Sequence, residues 1–428
     1  MTTFQTARAG ERMLAVEEAQ QRVLDEVALL GTENVAFTET LGRVLREDVT
    51  AVEDIPQGDN TAMDGYAVRA EDIAAATDEA PVVLQVIEDL PAGATSAVTV
   101  KEGTAVRIMT GALIPRGADT VAHVEITDGG SDRVKVFRPL TSGTNVRRQG
   151  EDMRAGAVVL ESGTPLGAAE IGVLASVQRS VVRVGRRPSV AILSTGDEIV
   201  DVDQPRAAGK VVNSNSYALA ALARQSGAVP RLLGIVRDDR DATVAAIQSA
   251  LESDFIVSSG GVSVGAYDFV KDALDALGAE TKFWQVAMKP GKPIVLSRVR
   301  ERIFFGLPGN PVSCMVSFLL FIAPAIRKAM GQQRNLFPPV VHARLGTGVR
   351  SRGDRRNYLR ARVSVAGGLL VVDPMPAQGS GVSTSMVQAN GLIVMETGIT
   401  SAEAGETVPV VVFDRLHSEP ITATAAHP

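Results

Sequence analysis

The feature that most constrains this chain is the alternation of strand-like and helix-like segments between residues 188 and 330. Short apolar runs rich in strand formers alternate with amphipathic runs of helical period. This alternation predicts a doubly wound, parallel or mixed sheet with helices on both faces. Such sheets bind their ligands at the carboxyl ends of the strands. We therefore expect the functional residues of this region to follow its strands.

One strand-to-helix junction, residues 254–274, combines several features of an anion site. The apolar strand Phe255-Ile256-Val257 leads into Ser258-Ser259-Gly260-Gly261, whose small residues permit a sharp turn with exposed amides ahead of a helix. Ser263 and Asp268 follow in the same segment. Two glycines in such a turn are also common in ordinary proteins, so the prediction depends on what the rest of the chain supplies.

The regions on either side of this alternation are rich in short strands, and they predict a multidomain α/β protein. The predicted domains are an N-terminal domain in two parts (1–55 and 141–187), an inserted β-rich domain (56–140), the central α/β domain (188–331), a small C-terminal β-barrel (336–414) and a flexible tail (415–428). Within the inserted domain, Asp128-Gly129-Gly130 predicts a hairpin between strands at 120–126 and 133–137.

Composition narrows the class of function. The 428 residues carry a formal net charge of −6, whereas a nucleic-acid-binding domain is normally basic. Cys314 is the only cysteine, which excludes internal disulfides and cysteine-built metal clusters. The most apolar run, residues 318–326, is short for a membrane span and contains Pro324. The first ten residues lack the pattern of a signal peptide. We expect a cytoplasmic protein with no nucleic-acid or membrane partner.

Carboxylates follow three separate strand-like segments of the central domain, at Asp197-Glu198, Asp238-Asp239 and Asp268. Helix capping explains Asp238 and Asp239 about equally well. Carboxylates brought together repel one another unless they share a cation or protons. Magnesium usually binds one or two carboxylates together with phosphate oxygens. The pattern therefore predicts a magnesium site and a phosphate-bearing ligand.

Positive charge is concentrated in Lys289-Pro290-Gly291-Lys292, a turn between two strand-like segments. A solvated turn with incidental lysines is the alternative. The turn Pro308-Gly309-Asn310 permits close approach of a ligand at Gly309 and helix capping by Asn310. Residues 378–385 are polar enough to bind oxyanions, although such segments are more often plain loops. The chain contains neither a P-loop nor a dinucleotide fingerprint.

Several motifs, taken together and in this order, closely resemble the MoeA family of molybdopterin molybdenumtransferases, which is related to the C-terminal region of gephyrin. They occupy residues 59–67, 108–112, 194–198, 258–265, 289–293 and 307–313. The resemblance extends from about Arg12 to about Phe413. It implies an elongated homodimer of four-domain subunits that requires magnesium, inserts molybdate into adenylylated molybdopterin, releases AMP and forms molybdenum cofactor.

The resemblance also implies roles for individual residues. The matching active-site positions are Asp59, Thr110, Glu198, Asp238, Asp268 and Lys289, of which Glu198, Asp238 and Asp268 would hold the magnesium ion. The matching ligand-binding positions are Ser259, Gly260, Gly261, Ser263, Lys292, Pro308, Gly309, Asn310, Arg360 and Ser385. Lys292, Arg360 and Ser385 match more loosely because the C-terminal domain varies within the family. Gln285 stands where some bacterial relatives have lysine.

Two other functions remain compatible with parts of the sequence. A gephyrin-type scaffold would use the same fold for binding alone, and the preceding molybdopterin adenylyltransferase step uses enzymes that share the central fold. The acidic and basic residues at the strand ends favour the molybdenumtransferase over the scaffold, and the motifs in the inserted domain favour it over the adenylyltransferase. The adenylyltransferase is also a candidate partner. In the implied homodimer, we expect Asp59 of one subunit to complete the site of the other.

Overall fold

The computed structural model describes residues 13–262 and 269–418. The chain forms two compact units. Within the described residues, one unit consists of the segments up to Arg46, Gly163–Gly167 and from Val181 onward, and the other consists of Glu47–Ser162 and Ala168–Ser180. The first unit contains the central sheet and the C-terminal barrel, and the second contains the β-rich insertion.

Strands dominate the second unit and the C-terminal region, whereas helices are concentrated around the central sheet. In chain order the strands of three or more residues are β1 (Thr32–Ala36), β2 (Gly65–Val68), β3 (Val82–Leu90), β4 (Thr104–Ile108), β5 (Thr120–His123), β6 (Arg133–Val136), β7 (Val158–Leu160), β8 (Val181–Gly185), β9 (Ser189–Thr195), β10 (Val229–Val236), β11 (Phe255–Ser259), β12 (Glu280–Gln285), β13 (Pro293–Val299), β14 (Arg302–Leu307), β15 (Val340–Leu345), β16 (Arg356–Ala366), β17 (Leu369–Pro374), β18 (Gly391–Met395) and β19 (Thr407–Val412). The α-helices are α1 (Val16–Glu26), α2 (Ala168–Ser176), α3 (Ser214–Gln225), α4 (Arg240–Ala250), α5 (Phe269–Ala276), α6 (Pro311–Ser317), α7 (Ala323–Met330) and α8 (Thr384–Gln388).

The central sheet has the strand order β10-β9-β11-β14-β13-β12. β10, β9, β11 and β14 are parallel, and β13 and β12 form an antiparallel edge. Successive residues of β9 point to opposite faces. Val190 and Ile192 belong to the core shared with α1, α3, α6 and α7, whereas Ala191 and Leu193 belong to the core shared with α4 and α5. The predicted doubly wound sheet with helices on both faces is confirmed.

Side-chain caps fix the starts of two helices on this sheet. Asn213 Oδ1 accepts a hydrogen bond from Ser216 N–H at the start of α3 (3.3 Å). Asp239 Oδ1 accepts one from Ala242 N–H at the start of α4 (2.8 Å). Capping therefore accounts for Asp239 and leaves Asp238 without this role.

The most apolar run of the sequence, residues 318–326, lies within a longer helix. α6, the π-helical segment Phe318–Ile322 and α7 form one continuous helix of 20 residues, Pro311–Met330, in which the π segment precedes Pro324. Length and composition alone would allow this helix to cross a membrane, but 78% of its apolar window is buried inside the protein. The shortness of residues 318–326 therefore does not exclude a membrane span. The burial of the whole helix identifies it as a core helix.

The insertion in the second unit contains a five-stranded sheet of order β5-β2-β4-β3-β6. It confirms the predicted β-rich character. The predicted turn at Asp128-Gly129-Gly130 forms a local hairpin, since Thr127 pairs antiparallel with Val136 and Phe137 N–H donates to Ile126 O (2.9 Å). This hairpin does not extend into β5, because β5 and β6 lie at opposite edges of the sheet. After β5 the chain makes a 3₁₀ turn at Val124–Ile126. Asp128 Oδ1 accepts a hydrogen bond from Lys135 N–H (2.9 Å) across the turn, and β6 then pairs with β3.

The C-terminal region closes into a small barrel, as predicted. Its strands follow the order β16-β17-β15-β19-β18, and β18 pairs back with β16 to complete the ring. Alternate residues of these strands, such as Ala361, Val363, Ile393 and Val410, fill the interior. The exact domain bounds given in Sequence analysis remain predictions. β1 does pair with β8, so segments from before and after the insertion meet within the first unit.

A buried carboxylate fixes the amino ends of two neighbouring strands of the central sheet. Asp254 precedes β11 and accepts hydrogen bonds from Arg186 Nη1 and Nη2 (2.9 and 2.7 Å) and from Ser189 N–H and Oγ (2.8 and 2.9 Å). Burial alone would raise the pKa of the Asp254 carboxyl. The hydrogen bonds from Arg186 and Ser189 outweigh burial, and the pKa lies below its ordinary value.

Replacing Asp254 should lower stability in a pH-dependent way. A carboxyl whose pKa is lowered by folding stabilises the protein above its unfolded-state pKa of about 4, and this contribution disappears as the pH falls through the folded-state pKa. We expect Asp254→Asn to lower the free energy of unfolding by roughly 1–3 kcal/mol at pH 7, with a smaller difference below about pH 4. Urea unfolding followed by the fluorescence of Trp284, the only tryptophan, measures this.

Asp241→Asn is the matched control, because Asp241 is exposed and, among the described residues, forms a salt bridge only with Arg240 at the surface. It should change stability by less than about 1 kcal/mol. A loss for Asp254→Asn that is equal at pH 7 and at low pH would contradict the role given to this carboxylate.

Candidate functional site

The carboxyl ends of β9, β10, β11 and β14 surround a cleft of about 660 Å³. Seven of the residues proposed from the sequence line it: Glu198, Asp238, Ser259, Gly260, Gly261, Gly309 and Asn310. Thr195, Asn213 and Asn215 line it as well. None of these three is among the site residues proposed from the sequence. Their proximity to the cleft follows from strand register, which the sequence does not reveal.

Two acidic loops meet at one side of this cleft. Asp197 N–H donates to Asp238 Oδ2 (3.2 Å), and Asp238 N–H donates to Asp197 Oδ1 (3.3 Å). Lys210 Nζ donates to the backbone carbonyl of Asp197 (2.6 Å). The salt bridges found among the described residues involve neither Glu198 nor Asp238. These two carboxylates are therefore available to an added cation.

The predicted third carboxylate, Asp268, lies outside the described residues, as does Ser263. In the part of the chain that the structure describes, no group of three or more His, Cys, Asp or Glu side chains is arranged to hold a metal ion. The magnesium site built from Glu198, Asp238 and Asp268 therefore stays a prediction.

The turn after β11 has a backbone conformation that requires glycine. Gly260 and Gly261 have φ angles of 94° and 69°. A Cβ atom on Gly260 would lie 2.7 Å from Thr195 O, and one on Gly261 would lie 2.6 Å from Val270 Cγ2. The expectation that both amides face an anion needs a correction. Gly260 N–H donates to Leu307 O (3.0 Å), whereas Gly261 N–H meets no acceptor among the described residues.

A second pocket, of about 400 Å³, adjoins the cleft and is lined by cations. We call it the cationic pocket and define it by Lys289, Lys292, Arg355 and Arg360. Pro308, Gly379 and Ser380 also line it, and none of its described lining residues is Asp or Glu. Asn310 lines both this pocket and the cleft. The cationic pocket can therefore hold an oxyanion next to a ligand in the cleft.

Sheet pairing and a buried arginine shape this pocket. Met288–Lys289 pairs in parallel with the start of β16, and this pairing places Lys289 against the barrel. Arg360 is buried, and its Nη2 donates to Ala377 O and Gly379 O (3.1 Å each). Its Nε donates to Ser385 Oγ (3.2 Å). Burial lowers the pKa of Arg360, although arginine remains charged in proteins. Arg360 and Ser385 thus brace the polar loop beside the pocket.

Asp59 and Thr110 lie in the second unit, on two loops that are joined by backbone hydrogen bonds. Ile114 N–H donates to Asp59 O (2.9 Å). Gln149 N–H (2.8 Å) and Arg148 Nη1 (2.6 Å) donate to the Asp59 carboxylate and lower its pKa. Thr110 Oγ1 and N–H donate to Asp64 Oδ1 (2.6 and 2.7 Å) and lower the pKa of Asp64. An aspartate at position 64 could be explained by the turn-forming sequence around it alone. In the structure, Asp64 also orients Thr110.

Three family models match the chain in succession. The MoeA N-terminal region (domain I and II) matches residues 14–178, a probable molybdopterin binding domain matches residues 191–328, and the MoeA C-terminal region (domain IV) matches residues 342–413. Apart from Gly381, the residues that line the cleft lie within the second match, as do the lysines of the cationic pocket, and Arg355 and Arg360 lie within the third.

Relatives and solved structures match over most of the chain. A molybdopterin molybdenumtransferase from Nostoc sp. is 41% identical over 89% of this chain and 88% of its own length. The enzyme of that name from Bacillus subtilis is 36% identical over 94% of each chain. The crystal structure of a molybdopterin biosynthesis MoeA protein from Pyrococcus horikoshii has a TM-score of 0.79 and 30% identity, covering 94% of this chain and 100% of that one.

The cationic pocket should bind a tetrahedral dianion, and its two lysines should contribute to the affinity. We expect Lys289→Gln and Lys292→Gln each to weaken molybdate or sulfate binding roughly two- to fivefold, because both lysines are exposed and act through screened charge. Affinity should also fall as ionic strength rises. Isothermal titration calorimetry at two salt concentrations measures both effects.

Lys135→Gln, at an exposed position of β6 in the second unit, is the control and should leave the affinity unchanged. Equal loss of binding in the control and in the two pocket variants would show that the anion is held by net charge and not by this pocket.

Proposed function

The chain belongs to the MoeA family of molybdopterin molybdenumtransferases, and on that premise we propose that it inserts molybdate into adenylylated molybdopterin, releasing AMP and forming molybdenum cofactor. Family membership makes it a transferase of molybdenum cofactor biosynthesis. One structural observation carries the proposal. A carboxylate-bearing cleft and a cationic pocket adjoin at one edge of the central sheet and share Asn310.

The two pockets suit the two substrates. Molybdate is a dianion, and the cationic pocket presents Lys289 and Lys292, together with Arg355, whose Nε pairs with the adjacent Asp354 (3.1 Å). Adenylylated molybdopterin is larger and carries a phosphoanhydride, which we assign to the cleft. This arrangement holds the molybdate beside the dithiolate that receives it. Positioning and fixed charge are the largest contributions that a protein makes to such a transfer.

Magnesium fits the cleft by the chemistry of its donors. Glu198 and Asp238 supply hard carboxylate oxygens, and we propose Asp268 as the third ligand. A magnesium ion bound there would offset the charge of the phosphoanhydride and polarise it. Lys210 holds the Asp197 carbonyl, and the reciprocal hydrogen bonds between Asp197 and Asp238 keep the two acidic loops together, so the carboxylates are positioned before the ligand arrives.

The proposed function predicts that AMP appears only when molybdate is supplied. Purified protein with adenylylated molybdopterin and magnesium should release AMP on addition of molybdate, and Asp268→Ala should release it at least tenfold more slowly. Chromatographic measurement of AMP tests this. Full release of AMP without molybdate, or consumption of ATP with molybdopterin alone, would indicate that the protein catalyses a different step of molybdenum cofactor biosynthesis. Near-normal turnover by Asp268→Ala would exclude its role at the metal.

We also propose a cytoplasmic homodimer in which Asp59 of one subunit completes the site of the other, with the adenylyltransferase of the preceding step as a partner. The Asp59 carboxylate is held in a fixed direction by Arg148 and Gln149. A carboxylate fixed in this way can act in a site that is built from two chains.

Mixing two inactive variants tests the shared site. Asp59→Ala and Asp268→Ala homodimers should both release AMP at least tenfold more slowly than the wild type. If the site is shared, heterodimers formed by refolding or co-expression should regain one intact site and about half of the wild-type rate of AMP release. Mixing Asp268→Ala with itself is the control. Absence of recovery in verified heterodimers would place each site within one chain.

A further inference from the structure

Asn215, in the first turn of α3, connects two strand-end loops at the base of the cleft. Its Nδ2 donates to Gly309 O (2.7 Å) and to Ser259 Oγ (2.8 Å). A carbonyl oxygen can only accept, so the contact with Gly309 fixes which side of the Asn215 amide carries the hydrogens. Each of the two hydrogens then has one partner. Ser259 must therefore act as an acceptor toward Asn215.

The Ser259 hydroxyl accepts from a second group as well. Cys314 Sγ donates to the same oxygen (3.7 Å). Burial raises the pKa of Cys314 to about 12, so the thiol keeps its hydrogen at neutral pH. Ser259 still has its own O–H hydrogen, and the described residues provide no acceptor for it. Its side chain is nearly fully buried and lines the cleft. A ligand oxygen in the cleft would supply the missing acceptor.

The neighbouring strand provides an independent observation. Thr195, at the end of β9, lines the cleft, and its Oγ1 is buried without a hydrogen-bond partner in the part of the protein that the structure describes. This oxygen faces the Gly260-Gly261 turn, since a Cβ atom added to Gly261 would lie 2.7 Å from it. Two adjacent strand ends thus present hydroxyl groups whose hydrogen-bonding capacity is unused. Buried polar groups of this kind are normally satisfied.

We propose that Asn215 is a positioning residue that aims the Ser259 O–H into the cleft, where it donates to an anionic oxygen of the phosphoanhydride of the substrate. The identity of that anion rests on the proposed function, whereas the direction of the O–H rests on the contacts of Asn215, Gly309 and Ser259 alone. A hydroxyl that is held as a donor in advance binds an anionic oxygen without the cost of reorienting.

Pyrophosphate binding tests the proposal without depending on turnover. We expect Asn215→Leu, which is close in shape but cannot donate, and Ser259→Ala each to weaken pyrophosphate binding roughly three- to tenfold. The double variant should bind like Ser259→Ala alone, because Asn215 acts through Ser259. Asn34→Ala, at an exposed position of β1, is the control and should bind like the wild type. Thermal unfolding identifies variants that fold poorly, in which case Asn215→Ala replaces Asn215→Leu.

Steady-state kinetics separates positioning from a general structural defect. Asn215→Leu and Ser259→Ala should raise the KM for adenylylated molybdopterin by similar factors and leave the KM for molybdate unchanged. The proposal would be overturned if the double variant lost pyrophosphate affinity by the product of the two single-variant factors. Unchanged affinity in Asn215→Leu, or no pyrophosphate binding by the wild type, would overturn it as well. If the wild type released no AMP, the proposed function would fail, and the binding measurements would still decide the role of Asn215.

Discussion

Parallel pairing of β9 with β10 and β11, and of β11 with β14, is the constraint on which the site depends. Parallel strands end at the same edge of a sheet, so this pairing brings together loops from four distant parts of the chain. The buried interaction of Asp254 with Arg186 and Ser189 fixes the opposite ends of β9 and β11. Without that register, Glu198, Asp238, Ser259 and Gly309 would not line one cleft.

The carboxylates and the lysines lie in separate pockets because different parts of the fold supply them. Close approach of the turn after β11 to Thr195 leaves no room for a side chain at Gly260 or Gly261. The cations come from a different source, the pairing of Met288–Lys289 with β16. The acidic cleft and the cationic pocket thus meet at Asn310 because the central sheet and the barrel both contribute to that edge. Opposite fields at adjacent pockets favour two differently charged ligands side by side.

Much of this was predictable from the sequence, and the failures share one cause. Strand and helix periodicity predicted the central sheet, its helices on both faces and the placement of polar residues at its strand ends. It could not show that Gly260 N–H is already bonded to Leu307 O, that Asp239 and not Asp238 caps α4, or that Asn215 points at Ser259. Turn chemistry predicted the local hairpin at Asp128-Gly129-Gly130, but it could not show that β6 pairs with β3 and not with β5. Partners across strands depend on register, which local patterns do not encode.

Locating molybdenum tests the central claim most directly. Crystals of the protein soaked with molybdate and AMP can be measured at the molybdenum absorption edge, where anomalous scattering identifies the metal. The account predicts a molybdenum peak in the cationic pocket, within hydrogen-bonding reach of Lys289 and Lys292 through its oxo groups. A peak in the cleft beside Glu198 and Asp238, with the cationic pocket empty, would contradict the assignment of the two pockets.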